Sequence, residues 1–151
     1  MIRPIAAEDV AALKHVIDGT GLFPSDMLDP MIAPYLCGNE GGEIWLTFVG
    51  KTPDGLVYCA PERMTDGAWN MLLIAVDPVV QGRGRGSALT DRVEAVLTER
   101  GARILIVETS GLPEFQATRQ FYLGKGYVEE ARIRDFYRKG EDKVVFWKAL
   151  R

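Results

Sequence analysis

The order of apolar and polar residues predicts an alternation of strands and helices along the chain. Met1–Ile5 is typical of a short strand. Apolar residues recur at helical spacing over Glu8–Asp18, and two glycines end this predicted helix. The apolar segment 24–36 contains Pro30 and Pro34, so it favours a broken helix or a loop with a helical turn.

Strand patterns dominate the middle of the chain. Residues 43–49 and 56–60 have such patterns, and the Pro53–Gly55 segment between them predicts a hairpin turn. Two continuous apolar runs follow, within Ala68–Val76 and Arg103–Thr109. Runs of this kind are typical of central strands that are covered on both faces.

A helix is predicted between the two apolar strands, over Gly84–Arg100, and Gly101 is placed to cap it. A strand–helix–strand unit of this length joins parallel strands. The remaining pattern predicts a helix over Glu114–Leu123 and strands over Tyr127–Arg138 and Lys143–Leu150. We therefore expect an α/β or α+β domain with a mixed central sheet.

The composition fits one globular domain that spans residues 1–151. Hydrophobic residues make up 47% and charged residues 26%, and the net charge of −3 gives no electrostatic footprint for nucleic acid. Two cysteines and one histidine are too few for a metal cluster, and two reduced thiols are expected. No apolar run has the length of a signal-peptide core or a membrane span, so we expect a soluble, cytoplasmic protein without a membrane partner.

The segment between Val76 and Ala88 carries the clearest chemical signal. It joins a predicted buried strand to a helix and contains three alternating glycines, in the order Gln81-Gly82-Arg83-Gly84-Arg85-Gly86. Free N–H groups and the positive end of the helix dipole meet at a helix start, and glycines let a phosphate approach the backbone. Arg83 and Arg85 add positive charge. The segment therefore predicts a pyrophosphate-binding loop, with a simple tight turn as the alternative.

Two common phosphate-binding motifs are absent from this loop. The GxGxxG fingerprint of dinucleotide-binding domains fails, because Ser87 or Leu89 stands at the sixth position. The GxxxxGK[ST] motif is also missing. The pattern Gln-x-x-Gly-x-Gly instead resembles the coenzyme A pyrophosphate loop of the GCN5-related N-acetyltransferase (GNAT) family.

Flanking residues extend the resemblance over residues 70–127. Val76-Asp77-Pro78, at the end of the first apolar strand, matches the family pattern, and so does Phe121-Tyr122-Leu123-Gly124-Lys125-Gly126-Tyr127. One position departs, because Phe115 stands where many members carry an Asn that contacts the pantetheine arm. The resemblance implies a single-domain acyl-CoA N-acyltransferase fold. Such a fold has about four helices and a sheet of six to seven strands that splays between two parallel strands.

The resemblance also implies acetyl-CoA as co-substrate, without a metal. Its pantetheine arm would insert between the two parallel strands, and a backbone N–H near Val76 would polarise the thioester carbonyl. The residues implied in binding are Ile74, Ala75, Val76, Gln81, Gly82, Arg83, Gly84, Arg85, Gly86, Ser87 and Phe121.

Acetyl transfer to an amine needs a proton acceptor and a proton donor. The resemblance implies Tyr122 as the donor to the leaving thiolate, with core packing as the alternative role of this aromatic residue. Glu108 and Glu62 are the candidate bases, and either can instead be a solvated or salt-bridged carboxylate. Arg119 is open between a structural role and substrate binding.

The acceptor is the least specified part of the reaction. By resemblance, the first two helices and segment 62–68 would shape its pocket. Their apolar residues favour a small amine or an amino acid, with a peptide N-terminus as a further option; they are Phe23, Met27, Met31, Tyr35 and Met64. A homodimer is expected, because small enzymes of this kind often pair. Two other hypotheses stay open, a non-catalytic acyl-CoA-binding regulatory module and a dinucleotide-binding domain.

Overall fold

The computed structural model describes residues 1–151 as one seven-stranded mixed sheet flanked by four α-helices. The strands are β1 (Ile2–Pro4), β2 (Ile44–Val49), β3 (Pro53–Pro61), β4 (Ala68–Val76), β5 (Ile104–Ser110), β6 (Val128–Arg138) and β7 (Glu141–Ala149). The helices are α1 (Val10–Thr20), α2 (Leu28–Leu36), α3 (Arg85–Glu99) and α4 (Gln116–Gly124).

The strands lie in the order β1-β2-β3-β4-β5-β7-β6. β4 and β5 are parallel, and every other pair of neighbours is antiparallel. This arrangement confirms the predicted mixed sheet and its central parallel pair. Because β7 lies between β5 and β6, β6 forms the edge of the sheet and is exposed at all of its positions.

Helices cover the sheet on both faces and create two hydrophobic cores. On one face, α3 buries Leu89, Val93 and Leu97, and α4 joins the same core through Tyr122. On the other face, α1 and α2 cover the half of the sheet around β3 and β4, and Leu13 is fully buried there. The helical pattern of the sequence had predicted these apolar faces of α1 and α3.

The apolar segment with two prolines is a regular helix rather than the expected broken helix or loop. Pro30 lies in the first turn of α2, where the missing N–H would have no intrahelical partner in any case. Pro34 lies in the last turn and removes a single helical hydrogen bond. Burial of Leu28 and Ile32 against the core outweighs that loss.

The turn between β2 and β3 lies earlier than the sequence predicted. Pro53, Asp54 and Gly55 belong to β3, and the connection consists of residues 50–52. The carboxylate of Asp54 pairs with Arg85 at 2.9 Å, and its backbone carbonyl accepts a hydrogen bond from the N–H of Asp77. These tertiary bonds draw the segment into the sheet, and they outweigh the local turn preference of Pro-Asp-Gly.

β4 and β5 are paired over only half of their length. Ala68–Met71 pairs with Ile104–Val107, and beyond these residues β4 pairs only with β3 and β5 only with β7. The pairing of β4 with β3 skips Leu72, so a bulge lies where the two parallel strands part. A gap therefore opens between their C-terminal halves, next to the loop that leads into α3.

β1 is attached to the start of α1 by a two-pronged ion pair. Arg3 Nη1 lies 2.6 Å from Asp9 Oδ2, and Arg3 Nη2 lies 2.9 Å from Asp9 Oδ1. The Asp9 carboxylate is almost fully buried and also accepts a hydrogen bond from the N–H of Ala6. The hydrogen bond from Arg3, together with that from Ala6, holds the pKa of Asp9 below its usual value.

Asp9→Ala should lower the free energy of unfolding by about 2 kcal/mol at pH 7, because a charged hydrogen bond is lost. A lowered pKa stabilises the fold fully above the unfolded-state pKa of about 3.9, and this contribution disappears as the pH falls through the folded-state pKa. The difference in the free energy of unfolding between variant and wild type, measured by urea denaturation, should therefore be smaller at pH 3 than at pH 7.

Asp66→Ala removes an exposed carboxylate that has no ion pair, and it should leave stability unchanged at both pH values. A loss at Asp9 that is equal at pH 7 and pH 3 would contradict the proposed ionic origin.

Candidate functional site

The glycine loop leaves a run of backbone donors free at the start of α3. Gly82 and Gly84 have φ values of 79° and 81°, a left-handed conformation that glycine adopts without strain. The N–H groups from Gly82 to Ser87 donate to no protein group, and the first helical bond runs from Ala88 to Gly84. They face outward at the positive end of the helix dipole, which is the arrangement of an anion site.

Side chains of the loop hold its backbone in place. Asp77 accepts a hydrogen bond from the N–H of Val79 at 3.0 Å and so caps the short 3-10 turn Pro78–Val80. The Gln81 side-chain amide donates to the carbonyl of Val76 at 3.0 Å. The loop is therefore tied back to the end of β4.

The two arginines of the loop have different roles. Arg85 pairs with Asp54, and its guanidinium lies 4.5 Å from the centre of the Phe48 ring. Its guanidinium is therefore held in position by contacts within the protein. Arg83 is exposed and forms no ion pair, so it is the free positive charge of the loop.

The end of β4 directs backbone groups into the gap beside β5. The N–H of Asp77 donates to the carbonyl of Asp54 in β3 at 2.8 Å. Because backbone groups of successive residues point to opposite sides of a strand, those of Ile74 and Val76 point away from β3. Their N–H groups are available to an extended ligand in the gap.

A cavity of 580 Å³ lies between the loop, β4 and α4. All the residues predicted to bind the donor line it except Arg83. α4 also contributes Ala117 and Thr118, which the sequence analysis missed. Their spacing of three and four residues from Phe121 and Tyr122 places them on one helix face, and that spacing is a signal that could have found them.

A second cavity, of 520 Å³, lies on the other side of the gap. Of the residues expected around an acceptor, Phe23 and Met31 line it. Met27 and Met64 are exposed elsewhere, and the Tyr35 hydroxyl donates to the carbonyl of Ile5. Segment 62–68 does not reach this cavity, whose other walls include residues of β4 and β5.

Tyr122 lines both cavities, together with Ile74 and Thr118. Its ring is packed against Phe121, Tyr127 and Phe146, and burial raises the pKa of its hydroxyl. The hydroxyl donates to no protein group, although buried tyrosines usually find a partner. The only side-chain polar atom that is both fully buried and without a partner is Asn70 Oδ1. The Tyr122 hydroxyl, which has no partner either, is therefore still accessible from the cavities.

The two candidate carboxylates lie in different places. Glu108 lines the second cavity, where it forms an ion pair with Lys143 at 2.8 Å and remains partly exposed. Glu62 lines neither cavity, and it accepts a hydrogen bond from Asn70, near the opposite end of β4. The structure thus brings Glu108 and Tyr122 to one cavity and leaves Glu62 outside it.

Two further residues have defined positions around α4. Arg119 donates to the carbonyls of Ser110 and Leu112, so its role is to hold the segment after β5. Phe115, which replaces the Asn of many GNAT members, lines the second cavity. At this position the chain therefore presents an apolar ring to the cavity and has no side-chain amide to contact a pantetheine arm.

Comparisons with known proteins agree with this geometry. The family model described as acetyltransferase (GNAT) domain matches residues 40–129, which is more than half of the chain. The chain belongs to the GNAT acetyltransferase family. The enzyme is thus an acetyl-CoA-dependent N-acetyltransferase, so the dinucleotide-binding and non-catalytic hypotheses do not hold.

Solved structures show the same fold over the whole enzyme. A protein assigned to the GNAT family from Desulfovibrio desulfuricans is 27% identical, with a TM-score of 0.91 and coverage of 99% of this chain and 98% of that one. Ribosomal-protein-S18-alanine N-acetyltransferase from Escherichia coli is 22% identical, with a TM-score of 0.75 and coverage of 99% and 93%.

A Salmonella typhimurium protein whose structure contains acetyl-CoA is 17% identical, with a TM-score of 0.80 and coverage of 100% and 94%. A comparison with the sequences of curated proteins gave no significant match.

No group of three or more His, Cys, Asp and Glu side chains is arranged to hold a metal ion. Cys37 is exposed and Cys59 is buried, and they form no disulfide. None of the helices has the length and apolar character needed to cross a bilayer.

Gly84→Ala should weaken acetyl-CoA binding about tenfold, because a side chain at φ 81° costs about 1–2 kcal/mol and shifts the N–H groups of the loop. Gly101→Ala is a matched control at the other end of α3, since its φ is 82° and no atom lies within 4 Å of an added Cβ at either position. Isothermal titration calorimetry with coenzyme A measures both affinities.

Both variants should lose similar stability, and only Gly84→Ala should lose affinity. Equal affinities in the two variants would show that the loop backbone does not hold the phosphates.

Proposed function

We propose that the enzyme transfers the acetyl group of acetyl-CoA to a primary amine by direct attack, with Tyr122 as general acid. The observation that carries this proposal is the free hydroxyl of a buried tyrosine at the junction of two cavities. One cavity carries the backbone donors of the glycine loop, and the other carries Glu108. A donor and an acceptor bound on the two sides of the gap would meet beside Ile74 and Tyr122.

The end of β4 would stabilise the charge that forms on the thioester oxygen. The N–H of Val76 points into the gap, and a fixed backbone donor needs no reorganisation as an oxyanion develops. The Gln81 side chain donates to the carbonyl of Val76 at 3.0 Å, which holds the next peptide unit and so restrains the end of β4. The proposed oxyanion donor is thus part of the sheet rather than a mobile side chain.

Tyr122 is suited to give a proton to a leaving thiolate. A tyrosine hydroxyl is protonated throughout the physiological range, and burial raises the pKa of this one further, so it is present as a hydrogen-bond and proton donor to the developing thiolate. Packing against three aromatic rings fixes the direction of the hydroxyl. The absence of a protein partner leaves it free to bond with a group in the gap.

Tyr122→Phe should lower kcat at least about a hundredfold and leave the Kd for acetyl-CoA within about twofold, because only the proton donor is lost. Tyr127→Phe is the matched control, since that tyrosine is also buried but bonds to Glu94 and lines neither cavity. It should lose stability and keep its kcat. Thiol release and calorimetry measure the two quantities, and an unchanged kcat in Tyr122→Phe would remove the residue from the mechanism.

Glu108 is the carboxylate that we assign as base. An acceptor amine of pKa about 8 to 10.4 is mostly protonated at pH 7 and must lose a proton before it can attack. Glu108 lies on the acceptor side of the gap, where its carboxylate is 2.8 Å from the ammonium group of Lys143. It can take the proton directly or through a water molecule.

Glu108→Gln should lower kcat/KM at pH 7 by about tenfold to a hundredfold, and the loss should shrink towards pH 10 as the amine deprotonates in solution. Glu62→Gln is the control, because the amide can still accept the hydrogen bond from Asn70 and lies outside both cavities. Initial rates from pH 6 to 10 measure the effect. A larger loss in Glu62→Gln would transfer the role of base to that residue.

The cytoplasmic location and the homodimer stay predictions. The exposed outer edge of β6 is the surface on which we expect a second copy, because an unpaired strand offers free backbone groups to another chain.

A further inference from the structure

The second cavity has a lining that restricts what can bind in it. Eleven of its fourteen lining residues are hydrophobic, and the remaining three are Glu108, Thr109 and Thr118. Glu108 is therefore the only charged group on its walls. Lys143, whose ammonium group lies 2.8 Å from Glu108, is not among the residues that line the cavity.

The apolar walls come from separate parts of the chain. Leu22, Phe23 and Met31 come from the region of α1 and α2, and Leu72 projects from the bulge of β4. Phe115 adds an aromatic ring from the turn before α4. The volume of 520 Å³ is of the size that holds a small organic molecule, and most of the surface of such a molecule would contact apolar side chains.

We infer that the acceptor is a monocationic amine with an apolar or aromatic body and without a carboxylate. This inference rests on the proposed function, and it names the acceptor class. The ammonium group would lie beside Glu108, and the body would fill the apolar part of the cavity. An amino acid would bring a carboxylate close to Glu108 with no cation on the walls to receive it. A diamine would place its second charge against apolar walls.

The first test is a panel of matched acceptors with acetyl-CoA, read out as thiol release. Phenethylamine should have a kcat/KM at least about tenfold above that of L-phenylalanine. L-Phenylalaninamide, which has no carboxylate charge, should recover most of the difference. The kcat/KM for butylamine should exceed that for 1,4-diaminobutane by a similar factor. Lengthening an alkylamine by one methylene should raise kcat/KM about threefold to fourfold until the cavity is filled.

The second test changes the charge around Glu108 without altering the cavity walls. Lys143→Met removes the cation that pairs with Glu108, so the Glu108 carboxylate repels a substrate carboxylate more strongly. The ratio of kcat/KM for phenethylamine to kcat/KM for L-phenylalanine should therefore rise at least about threefold. Lys139→Met, at an exposed lysine without an ion pair, should leave the ratio unchanged. Calorimetry with coenzyme A checks that both variants keep a folded donor site.

The outcomes separate this inference from the proposed function. If L-phenylalanine or 1,4-diaminobutane equals or exceeds its matched monoamine, the acceptor class is wrong while acetyl transfer stands. An unchanged ratio in Lys143→Met would overturn the assignment of Glu108 as the group that discriminates. If coenzyme A binds but no amine of the panel releases thiol, the proposed function and the acceptor class fall together.

Discussion

The loss of pairing between β4 and β5 after Met71 and Val107 is the constraint on which the site depends. A parallel pair that continued to the ends of both strands would satisfy the backbone groups of Ile74 and Val76 internally. Each strand is instead supported by its outer neighbour, since β3 follows β4 to Val76 and β7 follows β5 to Ser110. Both strands therefore remain part of the sheet, although they are not paired with each other along their C-terminal halves.

The contacts that hold this gap open come from both of its sides. The bulge at Leu72 bends β4 at the point of separation, and the aromatic cluster of Tyr122, Tyr127 and Phe146 packs beneath the gap. The ion pair of Asp54 and Arg85 joins the start of α3 to β3. This ion pair and the bond from Gln81 to Val76 tie the two ends of the glycine loop to β3 and β4 beside the gap.

The sequence was sufficient to predict the parts of the fold that rest on local patterns. The two apolar strands, the helix between them and the glycine loop were predicted correctly, because each depends on residues within one short segment. The prediction of a turn at Pro53–Gly55 was wrong, because the ion pair of Asp54 with Arg85, far along the chain, favours a strand there. For the same reason, no local signal distinguished Glu108 from Glu62. Glu108 lies in β5 beside the gap, whereas Glu62 follows β3 and contacts Asn70 in the paired half of β4.

The same contrast explains why the donor site is easier to infer than the acceptor site. The predicted donor site consists mainly of backbone groups of one continuous loop and one strand end, so a short motif of glycines is enough to indicate it. The second cavity is formed by side chains from the α1–α2 region, three strands, the turn before α4 and α4 itself, which meet only in the folded chain. The acceptor class that we propose therefore depends on the assembled surface, in which Glu108 is the one charged group among apolar walls.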